Sequence, residues 1–368
     1  MTLNAAALFT PFVSRTLSLP NRIVMAPMTR SQSPRGVPGD NVADYYRRRA
    51  EQGVGLIVTE GTAIDHPAAV SNPNIPWFHG DEALAGWARV VAGVHQAGGR
   101  IVPQLWHVGM ARKVGAEPNP AARPVGPSGL AKPGEPVNEP MTSSEIADVI
   151  AAYARSAAHA RRLGFDGLEL HAAHGYLIDQ FLWAGTNLRT DQYGGSLVQR
   201  TRFAVDVVRA CRAEVGPDFP IIFRFSQWKL QDYTARLASA PSELEAMLTP
   251  LVHAGVDIFH CSTRRFWQPE FDGSALNLAG WTKKLTGLPV ITVGSVGLSE
   301  EFMASLREGK SASTEGLDTL IAMVERNEVD LVAIGRALLV DAGWARKIRE
   351  GRTDDLVPFT PEALKTLS

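Results

Sequence analysis

Short runs of apolar residues recur along the chain, and most are followed by a longer segment in which apolar positions return every three or four residues. The runs are Ile23 to Ala26, Gly55 to Thr59, Ile101 to Leu105, Leu168 to Leu170, Ile221 to Phe225, Ile258 to His260, Pro289 to Val293 and Leu331 to Ile334. With little polar alternation inside them, they read as strands buried on both faces. The intervening periodicity predicts helices over Asn41 to Gln52, Glu82 to Ala97, Glu145 to Leu163, Leu197 to Glu214 and Glu243 to His253, the first with Asp40 as N-cap and Gly53 as stop. Eight such strands alternating with amphipathic helices predict an α/β fold, a single TIM (β/α)8 barrel domain over residues 1–368. A doubly wound sheet is the alternative, but no G-x-G-x-x-G follows the first strand.

Two further segments break the alternation. From Leu8 to Asn21 apolar residues alternate around Pro11, Ser14 and Pro20, which predicts an N-terminal hairpin at the bottom of the barrel. Glu117 to Pro140 is Pro-rich and too long for an ordinary connection; it predicts a long loop insertion after strand 3 that covers the active site.

Charge and cysteine usage narrow the function classes. The 37 Lys and Arg balance 38 Asp and Glu, and no basic run forms a footprint for nucleic acid or an anionic membrane, so neither partner is expected. Cys211 and Cys261 stand far apart without a CxxC, which supports no disulfide framework, zinc site or iron-sulfur cluster. With no signal-peptide pattern and no run of roughly 18 uncharged apolar residues, a soluble cytoplasmic protein is expected. The pattern fits a monomer and a homo-oligomer equally.

In a barrel the site lies where the C-terminal strand ends converge, so the residues leaving each strand are read together. The fourth strand is followed by His171, His174 and Tyr176, three proton-bearing side chains within six positions. Two imidazoles can donate to one oxygen, while a phenol with a pKa near ~10 suits protonation of a basic carbon such as an enolate. The seventh and eighth strands lead into Gly294-Ser295-Val296-Gly297 and Gly335-Arg336, the usual phosphate position of this fold. Thr29, Gln104 and Arg224 supply a hydroxyl, an amide and a fixed positive charge, which match flavin O4, its pyrimidine edge and its N1/O2 region. The other reading of Arg224 is an ion pair with Glu169 inside the barrel.

At these positions the chain resembles the Old Yellow Enzyme family of FMN-dependent ene-reductases. The resemblance is carried by Asn21-Arg22-Ile23-Val24-Met25-Ala26-Pro27-Met28-Thr29-Arg30, Gln104-Leu105-Trp106-His107-x-Gly109, His171-Ala-Ala-His174-Gly175-Tyr176-Leu177, Gln180-Phe181-Leu182, Asn187-x-Arg189-x-Asp191-x-Tyr193-Gly194-Gly195-Ser196 and Arg224-Phe225-Ser226. It implies a non-covalently bound FMN lined by Ala26, Pro27, Met28, Thr29, Gly61, Gln104 and Arg224, with its phosphate at Gly294, Ser295, Gly335 and Arg336. It further implies a substrate pocket of Trp106, His171, His174, Tyr176 and Trp267. In the implied reaction NADH or NADPH delivers hydride to flavin N5. That hydride passes to the β-carbon of an activated alkene while the two histidines hold its carbonyl or nitro oxygen and Tyr176 protonates the α-carbon.

Several positions depart from the family pattern. Met110 follows Gly109 where Arg is common, and Trp183 stands where it would narrow the pocket. Gln227-Trp228-Lys229 with Tyr233, and Arg264-Arg265-Phe266-Trp267 through Phe271, predict a subgroup-specific lid. The alternatives are an FMN-dependent dehydrogenase or demethylase, a reductase of nitro compounds or quinones on the same barrel, and a flavin-binding protein without catalysis. More remote is a metal-dependent barrel hydrolase using His171 and His174, with His107 in reach.

Overall fold

The computed structural model describes residues 4–296 and 316–368. Among them, parallel strands close into an eight-stranded barrel: β1 Ile23–Met25, β2 Leu56–Ala63, β3 Arg100–Trp106, β4 Leu168–His174, β5 Ile221–Lys229, β6 Ile258–Ser262, β7 Val290–Val293 and β8 Leu331–Ile334. Each strand pairs with the next in sequence, and β8 returns to β1, where Val332 stands opposite Ile23. Most strand residues are buried because side chains alternate between the barrel interior and the shell of helices.

The strands match the expected runs at their starts and differ at their ends. β4 continues to His174 and β5 to Lys229, so ladder pairing runs past the last apolar residue: His171 stands opposite Arg224, and His174 opposite Lys229. His171 and His174 therefore lie on the strand itself, whereas the sequence placed them on the turn after it. The ladder shifts register between Ala172 and His174, a bulge in which His174 adopts φ +66°. A non-glycine residue is uncommon there, and a bulge re-aims the side chain that follows it.

Helix boundaries differ for local reasons. α1 spans Asp40–Glu51 with Gly39 as N-cap, so Asp40 opens the helix, where its charge favours the dipole. α2 spans Asp81–Gln96. α3, Ser143–Arg162, starts earlier than expected because Thr142 and Glu145 form a reciprocal capping box. A short helix not read from the sequence, α4 Leu177–Leu182, follows Tyr176. The expected helix from Leu197 to Glu214 divides at Thr201 into α5 Leu197–Arg200 and α6 Arg202–Val215, and α7 spans Pro241–Ala254. Two more cross over near the end of the chain, α8 Leu278–Thr286 and α9 Leu317–Glu325.

The larger core lies between barrel and helices, with Tyr45, Trp87, Tyr153, Phe181 and Phe203 fully buried. A second core fills the lower barrel. There Phe12 and Leu19 of the antiparallel pair Phe12–Val13 and Ser18–Leu19, with Leu17 of the turn between them, meet Val24, Leu56, Val102, Ile222, Ile258 and Leu331. The hairpin is thus a hydrophobic plug, and burying Phe12 contributes about 1.5–3 kcal/mol.

The insertion after β3 carries a small antiparallel pair, Leu130–Lys132 with Glu135–Pro136. It does not cover the cavity at the barrel mouth, which has no lining residue between Trp106 and His171. Arg189 anchors it, donating to the carbonyls of Pro127 at 2.9 Å and Met141 at 2.6 Å. At the other end of the chain Phe359 packs on its own barrel with Leu339 and Ala363.

Candidate functional site

A cavity of about 360 Å³ opens at the C-terminal ends of the strands. It brings together Ala26, Pro27, Met28, Thr29, Gly61, Gln104, Trp106, His171, His174, Tyr176, Arg224, Gly294, Ser295, Gly335 and Arg336, drawn from seven strand exits. The convergence follows from closure, because parallel strands point all their C-terminal ends the same way.

One end is aromatic and proton-bearing. The rings of His171 and His174 meet edge to face at 5.2 Å, and Tyr176 stands edge-on to His171 at 5.0 Å and to Trp106 at 4.9 Å. Burial, reinforced by the positive charge of Arg224, holds both imidazoles well below the usual histidine range, so they are neutral. Burial raises the Tyr176 phenol above 10, opposed by Arg224, so it keeps its proton at neutral pH. The Ala173 N–H faces His171 Nδ1 at 3.4 Å, while His174 Nε2 lies 2.8 Å from Ser262 Oγ.

The barrel wall beneath is polar and largely paired. Glu169 accepts from Gln104 Nε2 at 2.7 Å and pairs with His260 Nδ1 at 2.6 Å. Its carboxylate is therefore engaged elsewhere, and Arg224 forms no ion pair with it. Arg224 is buried and its Nε has no hydrogen-bond partner among the described residues. Burial lowers the guanidinium pKa, with Glu169 and Tyr176 opposing the shift. Beside Thr29, Glu60 Oε2 accepts from the Arg30 N–H at 2.8 Å and the Ser31 N–H at 3.0 Å, which holds the chain leaving β1. A Cβ on Gly61 would stand 2.5 Å from the Trp106 ring, so glycine is needed for that ring to lie against β2.

The far end lies at the β7 and β8 exits. A Cβ at Gly294 would come 2.6 Å from the Thr263 carbonyl oxygen; Ser295 follows at φ +54° with its hydroxyl donating to the Arg264 carbonyl at 3.0 Å. Arg336 is buried with its guanidinium 5.8 Å from the Phe359 ring centre, and burial lowers its pKa to about 10. Gly297 lies outside the described residues.

Trp267 is not part of this assembly. It is 40% exposed and packs edge-on against Phe266, outside the cavity lining, which the chain after β6 leaves at Arg264. Phe271 and Trp183 also lie outside the lining, as does His107, whose Nε2 pairs with His66 Nδ1 at 2.9 Å instead of joining His171 and His174. The lid residues that do face the cavity are Trp228, Tyr233 and Arg264, with Leu230. β6 runs two residues past His260, where the apolar run ends, so apolar periodicity alone does not place Ser262 at the mouth.

The lining fits an FMN. A buried guanidinium nitrogen without a protein acceptor suits the electron-rich N1/O2 edge of a flavin. The amide of Gln104 and the hydroxyl of Thr29 border the same space, and an arginine stands at its other end.

Residues 7–355 match the model of the NADH:flavin oxidoreductase / NADH oxidase family. The chain is 33% identical over 359 residues to an NADH oxidase of Thermoanaerobacter brockii, covering 92% of this chain and 50% of that protein. It is 42% identical over 228 residues to 12-oxophytodienoate reductase 7 of Oryza sativa subsp. japonica, covering 58% of this chain and 57% of the relative. The chain thus spans about half the length of these curated relatives. Among solved structures, morphinone reductase in complex with tetrahydroNAD superposes with a TM-score of 0.80 at 32% identity, covering 97% of this chain and 93% of the other.

Proposed function

The chain belongs to the NADH:flavin oxidoreductase / NADH oxidase family, that of Old Yellow Enzyme, and on that premise we propose that it is an FMN-dependent NAD(P)H oxidoreductase that reduces activated C=C bonds. The substrate class is an α,β-unsaturated carbonyl or nitro compound. The observation carrying this reading is the meeting of two neutral imidazoles and a protonated phenol in the cavity that also holds the Arg224 guanidinium, whose Nε has no partner among the described residues.

When bound, FMN supplies a two-electron carrier able to take hydride from a nicotinamide and pass it to an electron-poor carbon. Thr29, Gln104 and Arg224 would hold the ring system, with Arg224 offsetting its negative charge; Ser295 and Arg336, with the backbone at Gly294 and Gly335, would take the phosphate. His171 and His174 donate to the substrate's carbonyl or nitro oxygen, which draws electron density from the β-carbon and stabilises the negative charge that develops. Tyr176 gives its proton to the α-carbon, and its raised pKa keeps that proton available at neutral pH. Trp106 and Trp228 wall the substrate space and exclude water around these groups.

The experiment is an anaerobic absorbance spectrum of the purified protein before and after NADPH, then after 2-cyclohexenone. Flavin bands near about 450 nm that bleach with NADPH and return with the enone are expected. Failure of the bands to return would exclude simple enones, and absence of flavin after reconstitution with FMN would overturn the reading.

A further inference from the structure

Ser262 is the last residue of β6, 3% exposed, and its side chain reaches across the cavity wall to β4. Its Oγ lies 2.8 Å from His174 Nε2, and no other hydrogen bond of that hydroxyl is formed among the described residues. Its backbone carbonyl accepts from Trp228 Nε1 at 3.1 Å, and the Trp228 ring packs on His174 at 4.6 Å. The Ser226 hydroxyl in turn accepts from the His174 N–H at 3.0 Å. Backbone, ring face and ring edge of His174 are thus all held; Ser262 holds the edge directly and anchors the Trp228 ring that covers the face.

A neutral imidazole has one N–H and one acceptor nitrogen, and the partner of one nitrogen decides the role of the other. His171 is settled by its own strand: the Ala173 N–H faces Nδ1, which leaves Nε2–H as its donor. For His174 the decision falls to a hydroxyl, which can act either way. We propose that Ser262 sets the tautomer of His174: its hydroxyl donates to Nε2, so the ring proton resides on Nδ1 and Nδ1–H becomes the donor toward the substrate oxygen. The two neighbouring histidines then work as opposite tautomers, His171 through Nε2–H and His174 through Nδ1–H. Neither of these two nitrogens has a protein partner among the described residues, and both rings line the cavity. Were Ser262 instead the acceptor, Nδ1 would present a lone pair to the carbonyl oxygen and repel it. Ser262 is a positioning residue in this scheme, acting through His174. The inference rests on the proposed role of His174 as a donor to substrate.

The test is the nitrogen-15 spectrum of histidine-labelled holoprotein, in which protonated and unprotonated ring nitrogens of a neutral imidazole resonate far apart. His174 is assigned by the signals lost in His174→Ala. Wild type is expected to carry its proton on Nδ1, Ser262→Ala to shift toward the Nε2–H form that free side chains favour, and Ser262→Thr to restore Nδ1–H. The alanine variant should also show about a tenfold rise in KM for an enone, the size of one hydrogen bond misdirected. A wild-type ring protonated on Nε2, or a tautomer unchanged in Ser262→Ala, overturns the proposal whatever the enzyme's activity. Nδ1–H that depends on Ser262, in a protein that turns over no enone, upholds the tautomer assignment and overturns the proposed reaction instead.

Discussion

Lys229 Nζ lies 2.7 Å from Asp179 Oδ1, and both side chains are wholly buried. The pair joins the end of β5 to α4, just beyond the residues that bracket the cavity. Lys229 also donates to the Ser226 carbonyl at 3.1 Å, and Asp179 Oδ2 accepts from the Gly175 N–H at 2.6 Å, one residue before Tyr176. It acts as a clasp on the turn that carries the phenol.

Removing one partner leaves a buried charge uncompensated, which costs about 3–5 kcal/mol, whereas replacing both with apolar residues is often close to neutral. Lys229→Met is therefore expected to lower stability by about that amount, and Lys229→Met with Asp179→Leu to recover more than half of it. Chemical denaturation of the two variants and the wild type checks this; a double variant no more stable than the single one would show that the clasp does not act as a pair.

Arg224 is a buried cation whose Nε lacks a partner, an arrangement unfavourable to the protein alone. Arg224→Met is expected to raise the thermal midpoint of the flavin-free protein and weaken FMN binding by about 10- to 100-fold, the range for a lost charge-assisted hydrogen bond. Fluorescence titration with FMN and a melting curve of the apoprotein give the two readings. Unchanged FMN affinity would place the flavin away from this residue.

Glu60 is 2% exposed, and burial raises its carboxyl to about 7 against the opposing N–H groups of Arg30 and Ser31 and the charge of Arg30. A folded-state pKa above the unfolded one means the native state holds the proton more tightly. Its contribution is then full below the unfolded value and is lost as pH rises through about 7. Relative to wild type, Glu60→Gln should become more stable by roughly 3 kcal/mol between acid and mildly alkaline pH. Urea unfolding at pH values on either side of that window measures the difference; one that does not vary with pH would mean Glu60 titrates normally.

Tyr176→Phe removes the proton and leaves the two imidazoles in place. Turnover of an enone is expected to fall by about 10²- to 10⁴-fold, while reduction of a quinone, whose oxygens take protons from water, persists. Steady-state assays with both acceptors decide it: equal losses would mean that Tyr176 shapes the pocket and does not deliver the proton.

The alternation of apolar runs and periodic segments, with no dinucleotide fingerprint after the first strand, favours a closed barrel over a doubly wound sheet, and closure itself gathers the strand exits. That is why residues far apart in the chain, such as Thr29, Arg224 and Arg336, could be assigned to one place. The expected strands end early wherever polar residues extend them, as at His171 to His174 and at Ser226 to Lys229. Apolar periodicity sees a strand only as far as its hydrophobic residues reach, while ladder pairing continues as long as a neighbouring strand accompanies it. Trp267 shows the converse: its type suited a substrate wall, but the direction of a loop is not encoded in local composition.

The sequence by itself determined the barrel, its hairpin plug, and the set of side-chain chemistries at its mouth. These depend on hydrophobic period and on residue identity, which are local properties. Only the tertiary structure decided that Glu169 is occupied by Gln104 and His260 and leaves Arg224 Nε without a partner among the described residues, that Lys229 answers Asp179, and that Ser262 meets His174. Each of these is a choice among several possible partners, made by distances of a few ångströms between strands and helices that closure of the barrel brings together. In a buried, low-dielectric site that choice of partner sets the charge and proton position of every group.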